Sequence, residues 1–419
     1  MIPKDLQLFK FSAYGFLKNL RFFEPFLLLY FLEQGLSFFE IGILISIREI
    51  STGILEIPTG IVADSYGRRN SMIFSFISYI VSFLIFYFFP SFTFYIVAML
   101  FFAGGEAFRT GTHKAMILEY LTIKNIKHLK VEYYGYTRSW SQKGSAVSAL
   151  LAGAVVIFAG SYQYIFLASV VPYIAELLLM ISYPKELNGI INKHSHPNIL
   201  KEIILNLKKT FMNFFATFKQ PVLRKAVINS ALFDGFFRAV KDYIQPVLKT
   251  FVLSVPFLPV YKEYRVTIII AITYFILFLL TSSASKRAGK IAKKFSSLSG
   301  AVNITFVIGI TIITLAGIFM HFNLTVFTVI FFVILYIIQN LRRPINIGFI
   351  SENIPSEIMA SGLSAESQLK TFFAAVLAPV IGFLADKCGI GIALIVISGL
   401  TILLFPFFKL KVNLKEKIL

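Results

Sequence analysis

Apolar stretches about as long as a bilayer is thick recur along almost the whole chain, separated by short polar breaks. A window of about 19 residues places them at 12–33, 39–62, 71–89, 92–118, 134–159 and 162–183, then at 226–252, 265–284, 298–320, 324–342, 358–385 and 390–408. Runs of this length span hydrocarbon as helices. They are too long and too uniformly apolar for the alternating strands of a barrel, the other fold that satisfies its backbone in lipid. The pattern therefore predicts an all-α polytopic membrane protein of twelve transmembrane helices. These form two six-helix bundles, 1–184 and 226–419, joined by a cytoplasmic linker at 185–225. Within the linker, Ile199, Ile203, Ile204, Leu207, Phe211, Phe214, Phe215 and Phe218 recur at helical spacing opposite Lys201, Lys208 and Lys209. That spacing predicts an amphipathic helix over 198–218, lying on the inner membrane surface.

Composition leaves little room for anything else. Of 419 residues, 57% are hydrophobic and 15% charged, with mean hydropathy +0.77, whereas a soluble domain carries about 25% charged residues. No soluble catalytic domain fits between the spans. The net charge of +19 is topological. With the N-terminus in the cytoplasm, Lys and Arg crowd the termini, the linker and the loops on that side, and Lys249, Lys262, Arg265 and Lys387 are left on the other. The positive-inside rule thus places both termini in the cytoplasm. A nucleic-acid surface would need a basic face interleaved with aromatics on a soluble module, so no nucleic acid is expected as a partner. The single cysteine, Cys388, excludes an intramolecular disulfide and a cysteine metal cluster. Of the histidines, His113, His128, His194, His196 and His321, the alternating His194 and His196 of the linker could touch a metal, but a solvated polar loop is the stronger reading; neither a phosphate-binding loop nor a hydrolase motif occurs. No metal or cofactor is expected, nor an enzyme. The polar first ten residues carry no cleavage pattern, so the first span is expected to remain in the mature chain.

Ionisable residues inside the spans are the main chemical clue: Lys18, Arg21, Glu24, Arg48, Glu49, Glu56, Glu106, Arg109, Lys114, Lys143, Glu176, Asp234, Arg238, Lys241, Asp242, Glu366 and Lys370. At about 3 kcal/mol each near mid-bilayer, exposing them all to lipid would cost on the order of 50 kcal/mol. They must face one another or water. Helical spacing gathers Glu106, Arg109 and His113 on one stripe, Asp234, Arg238, Lys241 and Gln245 on another, and pairs Arg21 with Glu24 and Glu366 with Lys370. Their near balance of sign suits ion pairs that hold helices in register; a polar cavity suits them equally. For the cavity, the candidate substrate contacts are Arg21, Arg48, Arg109, Arg238, Lys241 and Lys370. The candidate proton carriers are Glu24, Glu49, Glu106, Asp234, Asp242 and Glu366. Arg109 and Arg238 lead the first group, and Glu106 and Asp234 the second, because each lies mid-span with its partner one turn away.

Between spans 2 and 3 the chain reads Gly60-Ile-Val-Ala-Asp64-Ser-Tyr-Gly67-Arg68-Arg69. Gly60 would permit close helix packing, Asp64 could meet a helix N-terminus or a basic partner, Gly67 would allow a tight turn, and the two arginines would stay at the anionic inner leaflet. This string resembles the helix 2–3 loop signature of the major facilitator superfamily, at the family's position, and the six-plus-six plan is similar over the whole chain. The resemblance implies a secondary transporter working by alternating access, with Gly60, Asp64, Gly67, Arg68 and Arg69 as a gating latch. It also implies that helices 1, 2, 4, 5, 7, 8, 10 and 11 line the path. The charges fit that arrangement except in spans 8 and 10, which carry none, and in the peripheral span 6, which carries Glu176. A second string, Gly382-x-x-x-Asp386-x-x-Gly389, ends span 11 on the opposite membrane face. Ser65 replaces the usual basic residue of the signature, the loop at 283–294 lacks an acidic one, and span 5 (GSAVSALLAG, 144–153) lacks the signature of drug–proton antiporters.

The expectation is a transporter of a small polar or amphipathic solute, coupled to protons, with the solute and the lipid bilayer as its partners and a monomer sufficient. Multidrug efflux of lipophilic cations is the alternative within transport, and an intramembrane lipid-modifying enzyme or an inactive scaffold the alternatives outside it. The expected location is a prokaryotic inner membrane.

Overall fold

The computed structural model describes residues 3–189, 204–205, 208, 212, 221–254, 262–353 and 356–411. Apart from residues 204, 205, 208 and 212, the amphipathic helix expected over 198–218 lies outside them, as do His194 and His196. The described structure is all α-helical, apart from 3-10 turns and loops: α1 (Leu6–Leu17), α2 (Leu27–Glu33), α3 (Phe38–Tyr66), α4 (Arg68–Phe88), α5 (Phe92–Arg109), α6 (Thr112–Ile123), α7 (Lys130–Ala159) and α8 (Tyr164–Ile181), then α9 (Pro221–Val240), α10 (Ile244–Ser254), α11 (Lys262–Ala292), α12 (Leu298–His321), α13 (Thr325–Asn353) and α14 (Ser356–Phe408). Among the described residues, eight helical stretches are long and apolar enough to cross a membrane. The last covers Ser364–Phe408 and is about twice the length that one crossing of a 30 Å core requires; its backbone leaves the helix at Gly389, φ 83°, between the two spans expected there.

Spans 1, 4 and 7 are interrupted rather than continuous. Span 1 stops at α1, runs without α-helix through 18–26, and resumes as α2. Pro25 lies in this gap, and a proline disfavours helical backbone at the residue before it. Span 4 breaks at Thr110 and Gly111, where Gly111 has φ 78°. Span 7 passes through a 3-10 turn at Lys241–Tyr243 before α10 begins. Pro246 falls in the first turn of α10, where its missing N–H costs nothing.

Small side chains and backbone contacts set the neighbours. Along α4, Ser82, Ser78, Ser75 and Ser71 donate to the carbonyl oxygens of Ala98, Phe101, Gly105 and Phe108 on α5 at 2.7, 2.6, 2.6 and 3.0 Å. Such interhelical bonds, with small residues that let backbones approach, are how helices associate where lipid removes the hydrophobic drive. Helices α1 and α7 cross where a Cβ on Gly144 would sit 2.3 Å from the Phe16 carbonyl oxygen. At the start of α3, Ser37 and Glu40 form a reciprocal capping box, Glu40 N–H to Ser37 Oγ at 3.2 Å and Ser37 N–H to Glu40 Oε2 at 2.8 Å.

The chain divides into two compact units, one of Met1–Tyr30 with Ile47–Leu207 and the other of Phe31–Ser46 with Lys208–Leu419. The division passes through α3, whose first turns pack in the second unit.

Candidate functional site

In the first unit the charges converge at the two helix breaks. Arg21, in the non-helical part of span 1, donates from Nη2 to Glu106 Oε1 at 2.8 Å, and Arg109, the last residue of α5, bonds the other oxygen of the same carboxylate. Arg109 Nε also donates to the Tyr79 hydroxyl of α4 at 3.3 Å. The three charged side chains are only 15–21% exposed. Two guanidinium groups therefore share one carboxylate, with Glu24 also in electrostatic reach of Arg21. The serine ladder holds α5 against α4 with Glu106 and Arg109 at its end. The breaks free backbone groups around them, an arrangement that transporter helices use at solute sites.

This differs from the helical-stripe expectation in two ways. Arg21 does not face Glu24 from one turn of helix, because 18–26 is not α-helical; it reaches Glu106 instead. His113 does not continue the Glu106–Arg109 stripe, because Gly111 breaks it. Its ring stacks on Tyr14 at 3.5 Å between centroids, and Nε2 lies 3.2 Å from the Tyr183 hydroxyl. Elsewhere in the unit Arg48 Nη2 pairs with its neighbour Glu49 at 2.9 Å. Arg48 also edges a cleft walled by Phe23, Leu27, Phe83, Phe86, Met99, Phe102 and Phe166.

The second unit holds a separate polar cluster between α9, α13 and α14. Asp234 Oδ1 accepts from Gln339 Nε2 at 2.8 Å, and Glu366 Oε1 accepts from Ser230 Oγ at 3.2 Å. Asn346 Nδ2 donates to Ser230 Oγ at 3.1 Å, and Lys370 Nζ lies 4.0 Å from Glu366. Lys241 pairs with its neighbour Asp242 at 2.8 Å; both sit in the 3-10 turn, so they are not on a continuous stripe with Asp234.

Sequence reasoning missed Arg342. Hydropathy ends span 10 at this residue, yet α13 continues through it to Asn353, and Arg342 is fully buried. Its guanidinium donates to the Val302 carbonyl, to Thr305 Oγ1 at 3.0 Å and to the Asn229 side-chain oxygen. The rings of Phe233 and Phe306 lie 4.7 and 5.2 Å from it. The arginine pair at 342–343 was the available signal, together with Gln339 and Asn346 at helical spacing.

Both loop motifs have definite partners. Gly67 has φ 95°, and a Cβ there would meet the Asn188 side chain. Arg69 N–H donates to Asn188 Oδ1 at 2.9 Å and its Nη2 to the Ile181 carbonyl at 2.6 Å, while Arg68 pairs with Glu119 at 3.2 Å. Asp64 is exposed, and nothing lies within 4 Å of a Cβ placed on Gly60. The second motif packs closely. Asp386 accepts from the N–H groups of Phe38 and Phe39 at 2.9 and 2.8 Å, closing the start of α3. A Cβ on Gly382 would lie 2.2 Å from the Phe38 carbonyl oxygen.

A sequence model of the Major Facilitator Superfamily matches residues 14–369. An uncharacterized MFS-type transporter of Bacillus subtilis (strain 168), YxaM, is 24% identical over 199 residues, 47% of this chain and 50% of that protein; the match spans about half the length of this curated relative. Among solved structures, the nucleoside transporter NupG aligns over 98% of this chain and all of its own, with TM-score 0.76 and 14% identity. A D-xylose-proton symporter aligns over 99% of this chain and 98% of its own (TM-score 0.68, 13% identity). A POT family transporter in complex with 5-aminolevulinic acid aligns over 96% of each (TM-score 0.68, 14% identity). At these identities the likeness establishes the fold.

Proposed function

We propose a substrate class and a coupling mode for this chain, which belongs to the Major Facilitator Superfamily and is an integral membrane secondary transporter. It moves a small polar solute carrying an anionic group, as an anion or a zwitterion, and couples that movement to protons. The observation that carries this reading is the Arg21–Glu106–Arg109 cluster. Both guanidinium groups converge on Glu106, with Glu24 in electrostatic reach of Arg21, and a solute carboxylate or phosphate is a partner that such a pair of planar forks would bind. Binding by either arginine competes directly with Glu106. Once displaced, Glu106 is the group placed to take up a proton, so solute and proton act on the same three residues. In the second unit Asp234, which accepts from the Gln339 amide with Arg342 and Lys370 in electrostatic reach, is the corresponding acceptor. The named solutes of the structurally similar proteins are polar, one is zwitterionic, and one of those proteins is a proton symporter. The Gly60–Arg69 signature acts as the latch of alternating access in this reading, and both termini lie in the cytoplasm of a prokaryotic cell.

The test is a thermal-stability screen of the purified protein against grouped anionic, zwitterionic and lipophilic cationic solutes. A ligand at 100 times its dissociation constant adds about 2.7 kcal/mol. Anions or zwitterions should stabilise the wild type and lose their effect in Arg109→Ala. Stabilisation by lipophilic cations, unaffected by that substitution, would replace this reading with multidrug efflux through the carboxylates.

A further inference from the structure

Helix α8 carries one ionisable residue, Glu176, and none of the chemistry above uses it. It is fully buried, and neither carboxyl oxygen has a hydrogen-bond partner among the described residues. Glu106 in the same unit is gripped by two guanidinium groups, whereas Glu176 has the backbone N–H of Lys18 turned toward it and no side-chain donor. An ionised carboxylate enclosed without a donor costs several kcal/mol, whereas a protonated carboxyl carries no charge to desolvate.

The surroundings supply cations at one remove. Lys18 and Arg109 are within electrostatic reach of Glu176, as are the hydroxyls of Tyr14 on α1, Tyr173 on α8 and Tyr183 just beyond it. From α4, Tyr79 packs edge-on against Tyr173; from α6, the His113 ring stacks on Tyr14 and meets the Tyr183 hydroxyl; from α7, Tyr133 lies within electrostatic reach of Tyr183. Lys18 is the C-cap of α1, the first residue of the break that carries Arg21. An ammonium group on such a hinge can approach a carboxylate or withdraw from an uncharged acid.

We infer that Glu176 is a proton-binding site of the first unit, separate from Glu106, and that its proton sets whether Lys18 is drawn toward α8. The carboxyl oxygens are enclosed with no space that a solute or hydrated ion would need, and a proton needs none. Proton loss leaves a carboxylate that recruits Lys18; proton uptake releases it. The break in span 1, with Arg21 three residues further on, would then respond to pH without any solute. This goes beyond the proposed transport reading and stands or falls without it.

The experiment uses infrared difference spectroscopy on the full-length protein in lipid nanodiscs, titrated from acid to alkaline pH in H2O and D2O. A carboxylic-acid C=O band that shifts in D2O and disappears at alkaline pH is expected in the wild type. It should be missing from Glu176→Gln and retained in Glu106→Gln. The single tryptophan, Trp140 on α7, packs edge-on against Phe16 of α1 at 6.4 Å and reports on Lys18 two residues away. Its fluorescence should change with pH in step with the band, and that change should be lost in Glu176→Gln. A wild type without an exchangeable acid band, a Glu176→Gln spectrum that keeps the whole band, or fluorescence indifferent to Glu176 would each overturn the inference. Should Glu176→Gln fail to fold, Glu176→Asp replaces it: a band moved from its wild-type frequency supports the site, and an unmoved one refutes it.

Discussion

Glu106 is the residue on which the first unit's electrostatics turn. Neutralising it leaves two largely buried guanidinium groups facing each other with no carboxylate between them. Breaking a buried pair from one side costs about 3–5 kcal/mol. Glu106→Gln should therefore lower the unfolding midpoint markedly, and adding Arg21→Met should recover part of the loss, because residues in one network do not add. Additive melting temperatures would show that the cluster is not a unit. Arg342 makes a different kind of contribution, through a planar fork that meets three acceptors on two other helices. Arg342→Lys keeps the charge and loses the fork, for an expected loss of about 2–3 kcal/mol; a wild-type melting curve for this variant would reduce the network to a charge effect. The sequence pointed to Glu106 and Arg109 because charges inside apolar spans stand out. Asn229, Gln339 and Asn346 carry no charge and passed unnoticed, and Arg342 fell at the edge of a hydropathy window.

At the level of elements, two look-alike strings behave oppositely. Gly60 and Gly382 each open a G-x-x-x-D-x-x-G pattern, but only Gly382 is pressed against another helix. Gly382→Ala should destabilise by about 1–3 kcal/mol through overpacking. Gly60→Ala should be neutral or add up to about 1 kcal/mol through helix propensity. Thermal unfolding of the two variants side by side reads the difference, and equal losses would contradict these contacts. The interruptions of spans 1, 4 and 7 were partly legible: Pro25, Gly111 and Pro246 all mark them. Hydropathy averaging smooths over such single residues, which is why continuous stripes were expected. Ser37-Phe-Phe-Glu40, a capping box readable from sequence, likewise marks where α3 begins.

Over the whole molecule, the orientation proposed from the charge bias of the loops has both termini inside and would put the Gly382–Gly389 string outside. Cys388 is the only cysteine and is exposed, so it reports that orientation without engineering. A membrane-impermeant maleimide should label Cys388 on intact cells; labelling only after lysis would reverse the topology. The same orientation would put Asp386, the cap of α3, at the outer face and Gly67–Arg69, bound to Ile181 and Asn188, at the inner one.

The run lengths of apolar residues determined by themselves that this chain is an all-α membrane protein with many crossings, because lipid leaves the backbone no other economical way to satisfy its hydrogen bonds. The Gly60–Arg69 string added the family. Which charges meet was decided only by the tertiary structure. Arg21 bonds Glu106, 85 residues away, because the helix that would stack it one turn from Glu24 is broken. The same holds for Glu176: whether a buried carboxyl has a side-chain donor depends on what the neighbouring helices bring to it, and no local spacing encodes that.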